Sequence, residues 1–274
     1  MAAFHQSGGA GKMEWRTIFV SDVHLGSNAA KAESLLRFLQ EVDCGHLVLL
    51  GDIIDAWALK RRWYWPSAHQ QVVEQILSMA RRGVQVTYII GNHDGFLMPL
   101  SAVFQSDIIS LKREMVYRDV KGNDLLVTHG DVFDQWIKLS WFSKFFGDAS
   151  YMMLLKANRL LDRCNRFIGR RRPWSLSLGI KEKLPGSRRY IALFEKWMAH
   201  YAQKRGMDGV ICGHIHRRCE RRIKDVQYRN TGDWVESCSF WGETPAGDWR
   251  LMTFAEWQNE VPHRIRVHAL APSA

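Results

Sequence analysis

The sequence has no run of the roughly 18 to 20 apolar residues that a membrane-spanning helix requires. Its first residues, MAAFHQSGGAGKMEW, lack the apolar middle of a secretory signal. A membrane-embedded chain is therefore not expected, and residues 1–14 read as a flexible leader. Cysteine is scarce: Cys44, Cys164, Cys212, Cys219 and Cys238 are odd in number and scattered, which argues against a disulfide framework and for a reducing, cytoplasmic setting. There is no internal repeat, no low-complexity tract and no Pro/Gly-rich linker, which disfavours a solenoid or a linker-separated pair of domains. What is present is 274 residues at 46% hydrophobic content, enough for one sizeable core over residues 15–274.

Acidic residues are short in one place. Residues 135–205 carry 16 Lys and Arg against 4 Asp and Glu, the rest of the chain 22 against 24, so the whole +10 net charge originates in that segment. It reads as a basic insertion into one domain. Within it, LLKANRLLDRCNRFIGRRR (154–172) has helical spacing, with Leu154, Ala157, Leu161, Cys164 and Ile168 on one face and Lys156, Arg159, Arg163, Arg166 and Arg170 on another. Such a helix either packs on a core with a solvated exterior or meets an anionic lipid surface or substrate.

Five short apolar runs end in polar residues: TIFVSDVHLG (17–26), HLVLLGDIIDAW (46–57), TYIIGNHDG (87–95), DLLVTHGD (124–131) and GVICGHIH (209–216). Each is too short for a helix and passes through Gly, Ser or, before His129, Thr into a metal-competent side chain. Helical patterns at 31–42 and 69–82 separate the first three. Strands alternating with helices indicate an α/β domain, whose ligands gather beyond the carboxyl ends of the strands. One polar strand end is ordinary turn chemistry, and a lone His is more often a core or surface residue than a ligand. Five such ends point to a shared site.

In an extended segment residues i and i+2 face one side, so Asp22 with His24, and His214 with His216, are expected to aim paired donors at one point. Asp22, His24, Asp52, Asn92, His129, His214 and His216 make seven candidate ligands, more than one cation needs. A two-metal site is the economical arrangement. A competing reading takes Cys212, His214, His216 and Cys219 as a structural zinc site.

The blocks D-x-H, G-D-x-x-D, G-N-H-D, H-G-D and G-H-x-H, in that order over residues 17–216, resemble those of the calcineurin-like metallophosphoesterase superfamily. The resemblance implies an α/β fold, a two-layer β-sandwich flanked by helices, with a helical lid inserted at about 135–205. On matching positions it implies Asp22, His24 and His216 on one metal, Asn92, His129 and His214 on a second, and Asp52 bridging. His93 is then the catalytic imidazole beside the phosphate, with Asp55 as its orienting partner. The implied chemistry is hydrolysis of a phosphoric ester or pyrophosphate by a hydroxide that bridges two divalent cations. Imidazole, carboxylate and amide donors suit Mn, Fe or Zn, and Mn is the expectation.

Within the superfamily the chain is similar to the UDP-2,3-diacylglucosamine diphosphatases of lipid A synthesis, which insert a lid where this chain runs from His129 to His214. That implies a nucleotide-linked lipid as substrate and peripheral contact with the inner face of a membrane. Three features depart from the pattern. Those enzymes read Gly-Asn-Arg-Asp where His93 stands here; a proline soon follows their Gly-His-x-His where RRC follows here; and the Ser/Asn/Lys pattern of their lid is not found. The chain thus resembles a paralogous branch. The alternatives are a phosphodiesterase or nuclease on another substrate, or a non-catalytic metal-binding scaffold. Nucleic acid is disfavoured because the basic segment carries no recognised motif for it. KRRWYWP (60–66) either caps the sheet with its aromatics, stacks a uracil or sugar, or forms a membrane-facing rim. NTGDWVES (230–237) reads as a turn returning toward the metal end, with Asp233 near it. Oligomeric state is not specified by these features.

Overall fold

The structure, a computed structural model, describes residues 14–99, 108–134 and 185–260. In β1 (Glu14–Val20), Ile18 and Val20 pack into one apolar cluster and Phe19 into another. The same parity divides Leu47 and Leu49 from Val48 and Leu50 in β2 (Asp43–Leu50). In β6 (Asp124–Thr128), Leu125 and Val127 join Phe19 while Leu126 turns away; in β7 (Gly209–Cys212), Ile211 joins them while Val210 and Cys212 turn away. These strands are covered on both faces, which is why their sequences read as continuous apolar runs.

Two mixed sheets result. In the first, β1, β2, β3 (Gln85–Ile89) and β4 (Ser110–Lys112) are parallel neighbours. β10 (Ser239–Glu243) and β11 (Trp249–Thr253) extend it antiparallel beyond β1, for an order β11-β10-β1-β2-β3-β4. The second runs β5-β6-β7-β9-β8, with β5 (Glu114–Arg118), β8 (Cys219–Ile223) and β9 (Val226–Asn230). The sheets face each other across Phe19, Val48, Leu50, Ile89, Tyr117, Val127, Ile211 and Trp241.

Helices cover the outer faces. α1 (Ala32–Glu41) buries Leu35, Phe38 and Leu39 against the first sheet, and α3 (Ser67–Arg81), which follows the short α2 (Ala56–Arg61), buries Val72, Ile76 and Met79. α4 (Pro185–Lys204) packs Phe194, Met198 and Ala202 on the second sheet, and α5 (Phe254–Glu260) adds Trp257 to the first. The architecture is the helix-flanked two-layer sandwich expected. A polar tie joins the layers: buried Glu243 of β10 accepts from Tyr117 of β5, and Arg16 donates to both.

Helices anticipated over 31–42 and 69–82 are α1 and α3, the latter starting two residues earlier, directly after Pro66. The strand expectations overshoot: β1 stops at Val20 and β7 at Cys212, so the polar residues lie beyond the strands. β1 includes Glu14, the last residue assigned to the leader; residues 1–13, and 135–184 with the expected helix at 154–172, lie outside the described residues. The remainder of the basic segment is α4. Among the described residues no helix is long and apolar enough to cross a membrane, and Cys44, Cys212, Cys219 and Cys238 form no disulfide.

Phe19 is fully buried, with its ring edge-on to Tyr117 of the opposite sheet at 5.2 Å. Phe19→Ala should cost about 3–5 kcal/mol in urea denaturation. Val116→Ala, 56% exposed on β5, should stay within about 0.5 kcal/mol of wild type. A loss below about 1 kcal/mol for Phe19→Ala would contradict this inter-sheet packing.

Candidate metal centre

Asp52 stands two residues past β2, where the strand ends converge. Its Oδ1 accepts the His93 backbone N–H at 2.9 Å. Its Oδ2 lies 3.2 Å from His129 Nε2, 3.9 Å from His93 Nε2 and 4.0 Å from His24 Nε2. Asp22 Oδ1 is 3.2 Å from His216 Nε2, while Oδ2 accepts the His214 backbone N–H at 3.0 Å. Three donor sets form, each with its atoms within 4.8 Å of one another: Asp22, His24 and His216; His24, Asp52 and His93; Asp52, His129 and His214. Asp22, His24, Asp52 and Asn92 follow strands of the first sheet, whereas His129, His214 and His216 follow strands of the second.

Extended geometry is not what brings the pairs together, contrary to the i, i+2 expectation. φ is 52° at Asp22, 54° at His24, 54° at Asp52, 69° at His214 and 52° at His216, all left-handed. These are five of the seven non-glycine residues with positive φ among the described residues. Asp and His tolerate this region better than most residues, yet each costs roughly 1–3 kcal/mol. Hydrogen bonds between neighbouring loops hold them. Asp22 N–H donates to Gly51 C=O at 3.0 Å, His24 N–H to Asp52 C=O at 2.9 Å, and Trp234 N–H to Asp22 C=O at 3.0 Å. The β1–β2 pairing thus continues into the loops after the strands end.

The glycines of two blocks are explained by crowding. A Cβ on Gly91 would lie 2.3 Å from Asp52 Oδ1, and one on Gly213 would lie 2.4 Å from Asp22 Oδ2. A carboxylate from another strand end occupies the space a side chain would need.

One nitrogen of each imidazole faces an oxygen. His129 Nδ1–H donates to Leu50 C=O at 3.0 Å, and His93 Nδ1 pairs with Asp55 Oδ1 at 2.9 Å. His24 Nδ1 lies 3.4 Å from Asp55 Oδ2, His214 Nε2 lies 3.0 Å from Asp134 Oδ2, and His216 Nδ1 lies 3.8 Å from Asp233 Oδ2. Such partners fix the tautomer and leave the other nitrogen as a donor toward a cation. Asp55, expected beside His93, serves His24 as well, and caps α2 by accepting the Ala58 N–H at 2.8 Å. The turn at 230–237 does bring Asp233 back to the site, its Oδ1 accepting the Val235 and Ser237 N–H groups at 2.9 and 3.0 Å.

Two acids went unrecognised in the sequence. Asp94 is fully buried: Oδ1 accepts from Ile54 N–H and Tyr88 Oη, both at 2.8 Å, and Oδ2 from Ile53 N–H at 3.2 Å and Gly91 N–H at 3.3 Å. It clamps the Asp52–Asp55 loop to the Gly91–Asp94 loop. Burial, with the charge of Asp52, pushes its pKa up. Asp134 accepts from Tyr190 Oη at 3.0 Å besides facing His214. The Asp94 signal was its place within G-N-H-D; Asp134 had none beyond proximity to H-G-D.

The zinc alternative is not supported. Cys212 is buried with its Sγ against Arg229 C=O at 3.7 Å, and Cys219 packs against the α4 core. No donor set among the described residues includes a cysteine.

Buried atoms without hydrogen bonds test whether cations fit. Asp22 Oδ1, His24 Nε2, Asn92 Oδ1 and His129 Nε2 are four such atoms, all at candidate ligands. Leaving them so is costly unless something positive coordinates them, and the mixed oxygen and imidazole set suits first-row divalent ions. Without a cation, protons take its place. Burial alone would depress His24, but the Asp55 hydrogen bond and the charges of Asp52 and Asp22 lift it to about 9. Burial likewise opposes protonation of His129, and Asp52 outweighs it, lifting the ring to about 10. Burial raises Asp22, whereas Asp52 is held well below the usual carboxylate range because His129 outweighs its own burial.

Both imidazole values are raised above 6.5, so at pH 7.5 the metal-free rings hold protons that a coordinating cation must displace. Manganese binding should release on the order of two protons at that pH, and affinity should fall as pH is lowered. Calorimetry in two buffers of different ionisation enthalpy measures this; heats independent of buffer would rule out His24 and His129 as ligands.

The calcineurin-like phosphoesterase family profile matches residues 16–218. The UDP-2,3-diacylglucosamine hydrolase of Aeromonas salmonicida (strain A449) is 31% identical over 120 residues, which is 42% of this chain and 45% of the relative, so the match spans just under half of that protein's length. The protein of the same name from Wigglesworthia glossinidia brevipalpis is 24% identical over 238 residues, 81% of this chain and 88% of the relative. Among solved structures, the E. coli phosphoesterase Yfce aligns with 87% of this chain and 98% of its own at 14% identity and a TM-score of 0.41. With its profile running through all five strand-end blocks up to Arg218, the chain belongs to the calcineurin-like phosphoesterase family.

Proposed function

We propose that the protein is a dinuclear-metal phosphohydrolase that cleaves the pyrophosphate bond of a nucleotide-linked lipid of the UDP-2,3-diacylglucosamine type. The observation that carries the reading is Asp52, one buried carboxylate shared by two donor sets, one with His24 and His93 and the other with His129 and His214. In this reading Asp22, His24 and His216 would hold one divalent cation, Asn92, His129 and His214 would hold a second, and Asp52 would be shared by the two. Cations bound there, manganese being preferred, would lower the pKa of water toward neutrality and neutralise phosphate charge.

The chain's own groups supply the rest. His93 gives its Nδ1–H to Asp55, which leaves Nε2 to meet the phosphate and, when protonated, to donate to the leaving oxygen. Although burial would raise Asp55, its hydrogen bonds from His24 and His93 hold it low, so it stays ionised and supports an imidazolium. Trp57 lies over His93 with ring centroids 4.1 Å apart and limits rotation of that ring. The names of the relatives support the lipid substrate, and the excess of basic residues over 135–205 suits an anionic substrate or membrane surface. A second reading, a phosphodiesterase on another substrate, draws on His93 standing where the diphosphatases carry arginine.

Incubation of manganese-loaded protein with UDP-2,3-diacylglucosamine should release UMP. His93→Ala should lower kcat by about 10²–10⁴ while leaving the bound manganese unchanged. Turnover of an aryl phosphodiester with none of the lipid would select the second reading, and an inert metal-loaded protein would leave only a scaffold.

A further inference from the structure

A groove of about 340 Å³ opens beside Asp55, lined by Ser27, Asn28, Arg61, Arg62 and Tyr64. We infer that it receives the anionic, ring-bearing half of the substrate, a nucleoside monophosphate unit, and that the acyl-bearing half leaves the metal centre in another direction. The inference rests on the proposed hydrolysis of a nucleotide-linked lipid.

Position comes first. Asp55 lines the groove and also hydrogen-bonds His93 at 2.9 Å, so a phosphorus served by His93 has one of its two substituents at the groove mouth. Charge comes second. The negative charge of Asp55 is engaged by two imidazoles, His93 and His24, and two arginines, Arg61 and Arg62, are among the residues lining the groove. Planar guanidinium groups bind phosphate oxygens in pairs and stack on aromatic rings.

The groove is also preformed. His69, buried on α3, accepts the Gly26 N–H at its Nδ1 at 3.0 Å and meets the edge of the Tyr64 ring at 5.6 Å. One imidazole therefore fixes the Gly26 loop on one side and Tyr64 on the other. Tyr64 keeps 40% of its surface exposed, which leaves ring area for stacking. A volume of 340 Å³ lies at the lower end of small-ligand sites. Acyl chains would strip water from two guanidinium groups, an amide and two hydroxyls without replacing their hydrogen bonds.

Calorimetric titration of the manganese-loaded full chain with UMP and with inorganic phosphate tests the assignment. UMP should bind about tenfold more tightly than phosphate. Arg62→Ala and Tyr64→Ala should each weaken UMP by about three- to tenfold and phosphate by less than about twofold. Arg222→Ala, exposed on β8, removes the same charge elsewhere and should leave the UMP affinity near wild type. The inference is overturned if UMP binds no better than phosphate, if both ligands weaken equally in the groove variants, or if Arg222→Ala matches Arg62→Ala. Failure of the two readings is separable. UMP selectivity that depends on Arg62 and Tyr64, in a protein that leaves the lipid uncut, supports the groove and defeats the hydrolase; UMP release from the lipid with unselective binding does the reverse.

Discussion

Burying the carboxylate of Asp52 where imidazoles from two sheets can reach it is the constraint that organises this molecule. A charge placed there without counter-charge would be costly, and the surrounding atoms are arranged to meet it. The His93 backbone N–H binds one oxygen, His129 faces the other, and Gly91 gives up its side chain because a Cβ would stand 2.3 Å from Oδ1. The loop that presents Asp52 is held in turn by four donors to Asp94. The same two loops carry Asn92, His93 and Asp55, so the placement of one charge sets most of the site.

Holding five ligand candidates in left-handed conformations requires a scaffold that does not yield. The sandwich provides one. Its central strands are buried on both faces, and their hydrogen bonding runs on past the strand ends through the Gly51, Asp52 and Ile53 carbonyls. The donors are therefore fixed before any cation or substrate arrives, and little ordering remains to be done at the moment of binding.

Much of this was legible in the sequence. The five strand-end blocks, the two helices between the first three strands and the continuous apolar runs all translate into local geometry, because period-two and period-3.6 burial leave direct marks on residue order. The way Asp22 meets His24, and His214 meets His216, was not legible. The alternation rule applies inside a strand, and these residues lie past its end, where the backbone turns left-handed. Asp94 and Asp134 were missed because a single acid among loop residues has no periodic signature; its importance depends on which N–H or imidazole the fold brings to it. The Tyr117–Glu243 tie joins residues 126 positions apart, a pairing that only the stacked sheets create.

The division of the donor set between sheets gives the interface a second meaning. Two carboxylates, an imidazole and an amide ride on one layer and three imidazoles on the other, so the distance between the halves is a property of how Phe19, Tyr117, Ile211 and Trp241 interlock beneath them. A slip of one layer over the other by a fraction of a residue would change every cross-layer distance together while leaving each half intact. The apolar seam therefore acts as a gauge block, setting from beneath the span of a chemical site that it meets at the Leu50 carbonyl.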